Sequence, residues 1–322
     1  MNILITGANG FLGSWLSRLC SNINESNVFA GIRSGADISL ISDIDNLNIV
    51  ELNYKSRTSL LSSLSDLKEK HGSFDLVIHN AGLTKSMKPE LFMDINLELT
   101  QALLSAIKET SFLEYGTFSY VSSQAALGPV GFGKPVSAYG HSKLAAEKAI
   151  LDSGLSYLIF RPTGIYGPGD KEFLALFKSV KKGLYPCAAP VHQKMTLIHV
   201  CDVAQNIIDI SLSRKNKTIH LGDGKVYEHK DMKTVLDGIL KSKSLFFVIP
   251  NWVTKITLRL TTLLGKLFGF DPILSEEKHF EITKDWDHDF SLERKEIPLK
   301  IKFDLMSGFK DTYDYYQSKK LV

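Results

Sequence analysis

Short apolar runs alternate with amphipathic stretches through roughly the first two thirds of the chain. A short apolar run between turn residues predicts a buried strand, and a three-to-four-residue apolar step predicts a helix packed on one face. Their alternation predicts repeated βα units, and therefore a parallel sheet covered by helices. The predicted strands are Asn2 to Thr6, Val28 to Ile32, Ile49 to Leu52, Leu76 to His79, Thr117 to Ser122 and Ser156 to Arg161.

Two helices are predicted most clearly, Glu90 to Glu109 and Tyr139 to Ser153. After Pro162 the segment TGIYGPGDKEF carries glycine and proline punctuation, which indicates that the chain leaves the sheet. The later runs TLIHV and TIHLGD predict strands again. We therefore predict an α/β fold: a Rossmann-type, doubly wound parallel sheet from residues 1–166 plus about 195–224, and a smaller, discontinuous C-terminal substrate domain from about 167–194 plus 225–322.

The stretch from Trp252 to Phe268 is amphipathic, with Ile256 and Leu260 on its apolar face and lysine and arginine residues opposite. This pattern favours a surface helix packed on the protein. The alternative is a basic amphipathic helix that rests on a bilayer or covers an apolar substrate. No apolar run approaches the ~18 residues that a transmembrane span needs, so we predict none.

The composition is that of an ordinary globular protein, with 44% hydrophobic residues, 23% charged residues and a formal net charge of +3 over 322 residues. So small a charge gives no field for nucleic acid, and we expect no nucleic-acid partner. Three cysteines without C-x-x-C spacing favour a reducing compartment, and the chain opens on a strand pattern, so we expect a cytoplasmic protein. No cluster has metal-ligand spacing, and we predict no metal.

The first predicted strand runs directly into TGANGFLG at the entry to a helix. Glycines three apart let a turn close and let backbone N–H groups approach a pyrophosphate at the positive end of the helix. In this position the motif predicts a dinucleotide site. Its expected contacts are Gly7, Asn9, Gly10, Phe11, Leu12 and Gly13.

The second strand ends in GIRSG, where a dinucleotide-binding fold places the adenosine ribose. No acid stands at the tip of the strand. Arg33 with Ser34 offers charge-assisted hydrogen bonds to a 2′-phosphate, which favours NADP. Asp37 is close enough in sequence to leave NAD possible.

Tyr139 and Lys143 stand four residues apart, a spacing that recurs in the tail at Tyr315 with Lys319 and at Tyr316 with Lys320. Only the first pair lies at the start of a predicted helix that comes after a predicted strand ending in serines. Positions i and i+4 share a helical face, so these two side chains can face one cofactor. The tail pairs fit a solvated terminal helix.

Together these motifs resemble the extended branch of the short-chain dehydrogenase/reductase superfamily, which includes sugar-nucleotide epimerases and dehydratases and 3β-hydroxysteroid dehydrogenases. The resemblance covers nearly the whole chain. The matching pieces, in order, are TGANGFLG, HNAG, Asn96, YVSSQAALG, YGHSK, FRPTGIYGPGD and LIHVCDVA.

The resemblance implies a catalytic set. Tyr139 passes a proton to or from the substrate oxygen, and Lys143 holds the nicotinamide ribose. The lysine ammonium and the positive nicotinamide are expected to lower the pKa of the phenol. Ser123 hydrogen-bonds the same substrate oxygen, and Asn96 fixes a helix kink and a water relay to the lysine. The further cofactor contacts that it implies are Asn80, Ala81, Gly82, Ser122 and Pro162.

Two departures from the pattern bear on the substrate. Where nucleotide-sugar members carry an asparagine and a basic residue that engage the diphosphate, this sequence has Gly164 and Met195. Lys194 or His192 could compensate. With the apolar segment LYPCAAP and the amphipathic stretch, these departures favour an apolar or lipid-linked substrate. The candidate substrate contacts are Thr84, Gln124, Thr163, Gly164 and Met195.

The sequence therefore predicts an NAD(P)-dependent oxidoreductase that moves a hydride between nicotinamide and a carbonyl or secondary alcohol. A nucleotide-sugar epimerase or dehydratase stays open as an alternative, as does a non-catalytic dinucleotide-binding regulator. The resemblance also implies a homodimer through the helices that contain Leu99 and Ala145.

Overall fold

The structure is a computed structural model that describes residues 1–86, 88–187, 191–248, 253, 256, 258, 260–261, 280–281 and 283–322. Its strands are β1 Asn2–Thr6, β2 Asn27–Ile32, β3 Leu47–Glu51, β4 Leu76–His79, β5 Thr117–Val121, β6 Tyr157–Pro162, β7 Gly164–Tyr166, β8 Leu184–Cys187, β9 Leu197–His199, β10 Lys217–Leu221 and β11 Leu245–Val248. Its helices include α1 Phe11–Cys20, α2 Arg57–His71, α3 Glu90–Met93, α4 Leu99–Thr110, α5 Ala138–Leu151, α6 Glu172–Lys181, α7 Val200–Ser213, α8 His229–Leu240, α9 Ser291–Glu296 and α10 Leu305–Ser318.

Seven strands form one parallel sheet in the order β10-β6-β5-β4-β1-β2-β3. This order, with helices on both faces, confirms the predicted doubly wound α/β fold. All six strands predicted in the first half of the chain are present, with ends shifted by two residues at most. β10 occupies one edge of the sheet, which confirms that the chain returns to it.

Alternating side chains of the central strands feed two separate cores. Ile3 and Ile5 of β1 point into the core beneath α1 and α7, whereas Leu4 points into the core beneath α2, α4 and α5. All three side chains are fully buried. A strand buried on both faces is uniformly apolar, which is why β1 appears in the sequence as an unbroken apolar run.

The helix predicted over Glu90 to Glu109 is present but is not uniformly α-helical. A single π-helical turn, Asp94–Glu98, separates α3 from α4. Asn96 lies within that turn, and its side chain bonds both backbone groups of Leu83: Oδ1 accepts from the N–H at 2.8 Å, and Nδ2 donates to the carbonyl at 3.0 Å. The kink that the resemblance implied at Asn96 therefore takes the form of a π turn.

The later part of the chain has its own apolar cluster, formed by α6, α8, α10 and β8. Two short parallel sheets lie outside the main one, β7 with β9 and β8 with β11. The division into two domains at residues 166, 195 and 225 stays a prediction, as does the homodimer through α4 and α5.

Most of the amphipathic stretch from Trp252 to Phe268 lies outside the described residues, as do residues 188–190 of LYPCAAP. The described positions 253, 256, 258, 260 and 261 are helical. Leu258 is buried, whereas Ile256 and Leu260 are exposed. The expectation that Ile256 and Leu260 pack on the protein was wrong, because it is the position between them that faces inward.

Within the described ranges, no helix is long and apolar enough to cross a membrane. In the same part of the chain, no group of His, Cys, Asp or Glu residues is arranged to hold a metal ion.

Candidate active site

The carboxyl ends of three neighbouring strands bring the predicted cofactor residues together. Gly7 directly follows β1, Asn80 directly follows β4, and Ser122 directly follows β5. The Nδ2 of Asn80 donates to the carbonyl of Gly7 at 3.2 Å. Open parallel sheets bind ligands outside this edge, so the candidate site lies here.

The glycine loop requires glycine at two positions for steric reasons. Gly7 has a φ of +63°, and a Cβ there would lie 2.8 Å from the Cα of Ala81. A Cβ on Gly13 would lie 2.0 Å from the carbonyl oxygen of Gly7. Because no side chain separates these segments, the loop packs directly against the first turn of α1 and the segment after β4.

The N-terminus of α1 is open to a ligand. Gly10 caps it without a side-chain hydrogen bond, and no acidic residue lies in its first turn. Uncapped N–H groups at the positive end of a helix bind anions, so the loop from Asn9 to Leu12 fits a dinucleotide pyrophosphate. The Nδ2 of Asn9 donates to the carbonyl of Asp37 at 2.8 Å and ties the loop to the segment after β2.

Arg33 and Ser34 are exposed directly after β2. Nearby, the Asp37 carboxylate accepts from the N–H of Ser39 at 2.9 Å and from its hydroxyl, and these hydrogen bonds lower the pKa of Asp37 below its ordinary value. Within the described ranges, Arg33 forms no ion pair. The exposed guanidinium is thus available to a ligand, while the carboxylate is engaged by its own turn.

The three proposed reacting side chains come from two adjacent segments. Ser123 caps the short 3-10 helix Gln124–Ala126, and its Oγ accepts from the N–H of Ala125 at 3.1 Å. Tyr139 and Lys143 lie on the first turns of α5, whose N-terminus is capped by Ser137. The two segments pack closely, since a Cβ on Gly140 would lie 2.4 Å from the carbonyl oxygen of Ala125.

The pKa of Tyr139 is raised, whereas the sequence predicted that it would be lowered. Burial raises the pKa of the phenol to about 12, and the Ser123 hydroxyl opposes that rise. The negative charge of Glu281 raises it further. The protein around Tyr139 therefore does not lower the pKa by itself, contrary to the sequence-based expectation for Lys143, because desolvation of the phenolate outweighs the hydrogen bond.

Lys143 is 4% exposed, and its Nζ donates to the carbonyl of Val121 at 2.9 Å. The ammonium lies 4.8 Å from the centroid of the Tyr120 ring, a cation–π distance. Burial lowers the pKa of Lys143 to about 8, and the Glu147 carboxylate opposes that fall. An ammonium has three donors, so two stay available for a ligand beside Val121.

Space beside the lysine is kept by Gly82 and Asn96. A Cβ at Gly82 would lie 3.2 Å from the Nζ of Lys143 and 2.9 Å from the Oδ1 of Asn96. The Nδ2 of Asn96 also donates to the Oγ of Ser142, one residue before the lysine, at 2.9 Å. The π turn at Asn96 thus positions α5 as well as the loop after β4.

A buried ion pair that was not predicted from the sequence lies behind the site. Glu147 is 2% exposed; it accepts a hydrogen bond from the Ser122 hydroxyl and forms an ion pair with the Nη2 of Arg161 at 2.5 Å. Glu147 lies four residues after Lys143 and eight after Tyr139, so all three share a helical face. This spacing is the signal that could have identified it.

Two more residues reach the site from the far end of the chain. The hydroxyl of Ser137 donates to the buried carboxylate of Glu281, and the Nε2 of Gln124 donates to the carbonyl of Trp286 at 3.2 Å. No sequence signal linked them to the site, because more than 140 positions separate the partners in each case.

The candidate substrate contacts are only partly assembled. Met195 pairs with both Tyr227 and Trp286, and Trp286 also bonds Gln124. The other candidates lie as follows: Thr163 is buried after Pro162 at the end of β6, Gly164 is exposed with its N–H on the Thr196 carbonyl at 3.3 Å, and Thr84 is exposed in the loop after β4. Within the described ranges, no hydrogen bond joins Thr84 to the rest.

This fold and this glycine loop define a dinucleotide-binding enzyme of the extended short-chain dehydrogenase/reductase type. A model of the NAD dependent epimerase/dehydratase family matches residues 3–222. The match spans more than half of the chain, and the chain belongs to that family.

Individual relatives cover nearly the full chain. The ceramide reductase of Caulobacter vibrioides is 25% identical over 98% of this chain and 94% of its own. The UDP-glucose 4-epimerase of Vibrio cholerae is 25% identical over 97% of this chain and 94% of its own. Among solved structures, the UDP-glucuronic acid 4-epimerase of Bacillus cereus in complex with NAD is similar with a TM-score of 0.75 and 19% identity, covering 100% of this chain and 99% of that one. This last likeness shows the fold.

The lowered pKa of Lys143 makes stability depend on pH. Between pH 8 and 10.5, the folded-state and ordinary values, the unfolded chain holds a proton that the native state has released. The free energy of unfolding therefore rises with pH in this window. We therefore compare the free energies of unfolding of the parent protein and of Lys143→Met. Between about pH 7 and pH 9.5, the parent's value should rise relative to that of the variant by about 2 kcal/mol. Chemical denaturation of both proteins measures this, and an unchanged difference would contradict the lowered pKa.

Proposed function

We propose that the protein is an NAD(P)-dependent oxidoreductase that interconverts a carbonyl and a secondary alcohol on an apolar or lipid-linked substrate. The observation that carries this proposal is the convergence of Ser123, Tyr139 and Lys143 at the carboxyl edge of the sheet, next to a glycine loop that fits a dinucleotide. A non-catalytic regulator does not need these three residues. Their presence together counts against that alternative.

Proton transfer is assigned to the phenol. Tyr139 Oη gives its proton to the substrate oxygen in reduction and takes it back in oxidation, while Ser123 Oγ donates a hydrogen bond to the same oxygen. A group with a pKa near 12 keeps its proton at neutral pH and is suited to be the acid. For it to act as the base, its pKa has to fall when positive charge joins the site.

These residues fit a dinucleotide cofactor. The α1 N-terminus and the glycine loop would hold the pyrophosphate, and the two remaining donors of Lys143 would suit the nicotinamide ribose hydroxyls. When bound, the nicotinamide supplies or accepts the hydride. The small residues Ala81 and Gly82 leave room for it beside β4.

Three observations support an apolar substrate. Gly164 and Met195 stand where nucleotide-sugar members present polar side chains to a diphosphate. The buried Glu281 adds negative charge beside Tyr139, which disfavours an anionic substrate. The similarity to a ceramide reductase over nearly the whole chain points the same way.

A nucleotide-sugar epimerase is the second candidate. It is favoured by the equal identity to a UDP-glucose 4-epimerase and by a cavity of about 320 Å³ whose lining includes Lys284 and His192. An epimerase returns the hydride to the substrate, so it leaves no net NAD(P)H. Absorbance of NAD(P)H after addition of a long-chain ketone or of UDP-glucose separates the two candidates.

We further propose that NADP is preferred over NAD. The support is the exposed guanidinium of Arg33 directly after β2, which forms no ion pair within the described part of the chain, together with the nearby Asp37 carboxylate, which is engaged by Ser39. A solved structure of the same fold is in complex with NAD. We therefore assign the preference for NADP to the segment after β2 and not to the fold.

Tyr139→Phe removes the transferable proton and leaves the ring in place. We expect turnover to fall about a thousand-fold with cofactor affinity retained, because general acid–base catalysis typically contributes 10²- to 10⁴-fold. Turnover is followed by NAD(P)H absorbance and cofactor binding by thermal shift. Tyr315→Phe, in the tail copy of the same spacing, is the matched control and should retain full activity. Full activity in Tyr139→Phe would refute the assignment.

Arg33→Ala tests the cofactor preference. Loss of a charge-assisted hydrogen bond to the 2′-phosphate should raise the Kd for NADP about ten-fold to a hundred-fold and leave the Kd for NAD unchanged. Calorimetric titration of both cofactors measures the two constants, with Arg57→Ala on α2 as the control. If Arg33→Ala changed both constants equally, or neither, the role given to Arg33 would be wrong.

A further inference from the structure

The small sheet of β8 and β11 exposes an apolar face. In the parallel register Leu184 pairs with Leu245, and Pro186 pairs with Phe247, so these four residues share one face. The opposite face of β8, with Tyr185 and Cys187, is buried in the apolar cluster formed by α6, α8, α10 and β8. The side chains of Leu184, Leu245 and Phe247 are 47%, 71% and 57% exposed, and Pro186 is exposed as well. We call these four residues the outer face.

The outer face has a cationic margin. Lys181 and Lys182 precede β8, and Lys241 and Lys243 precede β11; all four are exposed. Because the two strands are parallel, the segments before them lie at the same end of the small sheet. Within the described ranges, none of these lysines forms an ion pair. In residues 181–187 and 237–248 the only acid is Asp237, which is engaged by Lys233 at 2.6 Å.

A second exposed apolar feature follows β11 in the chain. Ile256 and Leu260 are helical, four residues apart and therefore on one helical face, and they are 51% and 54% exposed. Exposed apolar patches bordered by polar residues mark interaction sites.

We propose that the outer face and its lysines dock on the surface of an anionic lipid bilayer. Such a surface offers an apolar layer for Leu245 and Phe247 and negative headgroups for the lysines, and the long lysine side chains can reach those headgroups while the strands stay parallel to the membrane.

Charge argues against a second copy as the occupant. An isologous dimer through the outer face would place the same lysines of both copies around one interface, and residues 181–187 and 237–248 offer no acid to neutralise them besides Asp237, which Lys233 already engages. An anionic bilayer has the complementary charge. Docking would also bring the protein to the phase in which a lipid-linked substrate is found. That link rests on the proposed function, whereas docking itself does not.

Vesicle flotation with the full-length protein tests the proposal without reference to activity. We expect the protein to float with vesicles of phosphatidylcholine and phosphatidylglycerol, and not with phosphatidylcholine alone, and to be released by salt. Lys241→Gln/Lys243→Gln should weaken binding about thirty-fold. Leu245→Ser/Phe247→Ser should weaken it at least about ten-fold.

The control removes equally exposed apolar groups elsewhere. Tyr115 and Leu292 are 86% and 79% exposed, and Tyr115→Ser/Leu292→Ser should bind vesicles like the parent protein. Circular dichroism melting checks that every variant is folded. Absence of flotation by the parent protein, or flotation that the outer-face substitutions leave unchanged, would overturn the proposal. So would a dimer in solution that Leu245→Ser/Phe247→Ser dissociates, because it would assign the face to a second copy. Because flotation needs no turnover, failure of docking and failure of the proposed reaction are distinguishable.

Discussion

A single buried ammonium, that of Lys143, governs the arrangement at the carboxyl edge of the sheet. Burying a charge is costly unless other groups support it, and here the support comes from the Val121 carbonyl, the Tyr120 ring and the Glu147 carboxylate. Glu147 is itself held by Arg161 and by the hydroxyl of Ser122. The groups that support the ammonium come from the ends of β5 and β6 and from α5. These contacts fix the position of α5 relative to the two strands.

The same constraint links the lysine to the cofactor edge. Gly82 has no side chain to fill the space beside the ammonium, and the π turn at Asn96 ties α5 to the loop after β4. The ammonium therefore lies beside the segment after β4, which packs against the glycine loop. Segments outside the sheet also reach the site, since Glu281 and Trp286 contact Ser137 and Gln124 from the far end of the chain.

The features that depend on local sequence patterns were predicted correctly. β1, the glycine loop and the start of α5 follow from apolar runs, turn chemistry and helical spacing, and all appear at the predicted positions. Glu147 was accessible to the same helical spacing and was overlooked. Glu281 and Trp286 were not accessible, because contacts over more than 140 residues leave no periodic trace. The pKa of Tyr139 was also beyond reach, since desolvation depends on how completely the folded chain excludes water from the phenol.

A crystal structure with NADP bound is the decisive measurement. We expect the pyrophosphate at the N–H groups that follow Gly10, the ribose hydroxyls within hydrogen-bonding distance of the Nζ of Lys143, and the nicotinamide ring between Gly82 and the phenol of Tyr139. A cofactor bound elsewhere would contradict this arrangement. So would a ribose beyond hydrogen-bonding distance of the Lys143 ammonium, with that ammonium bonded only to Val121.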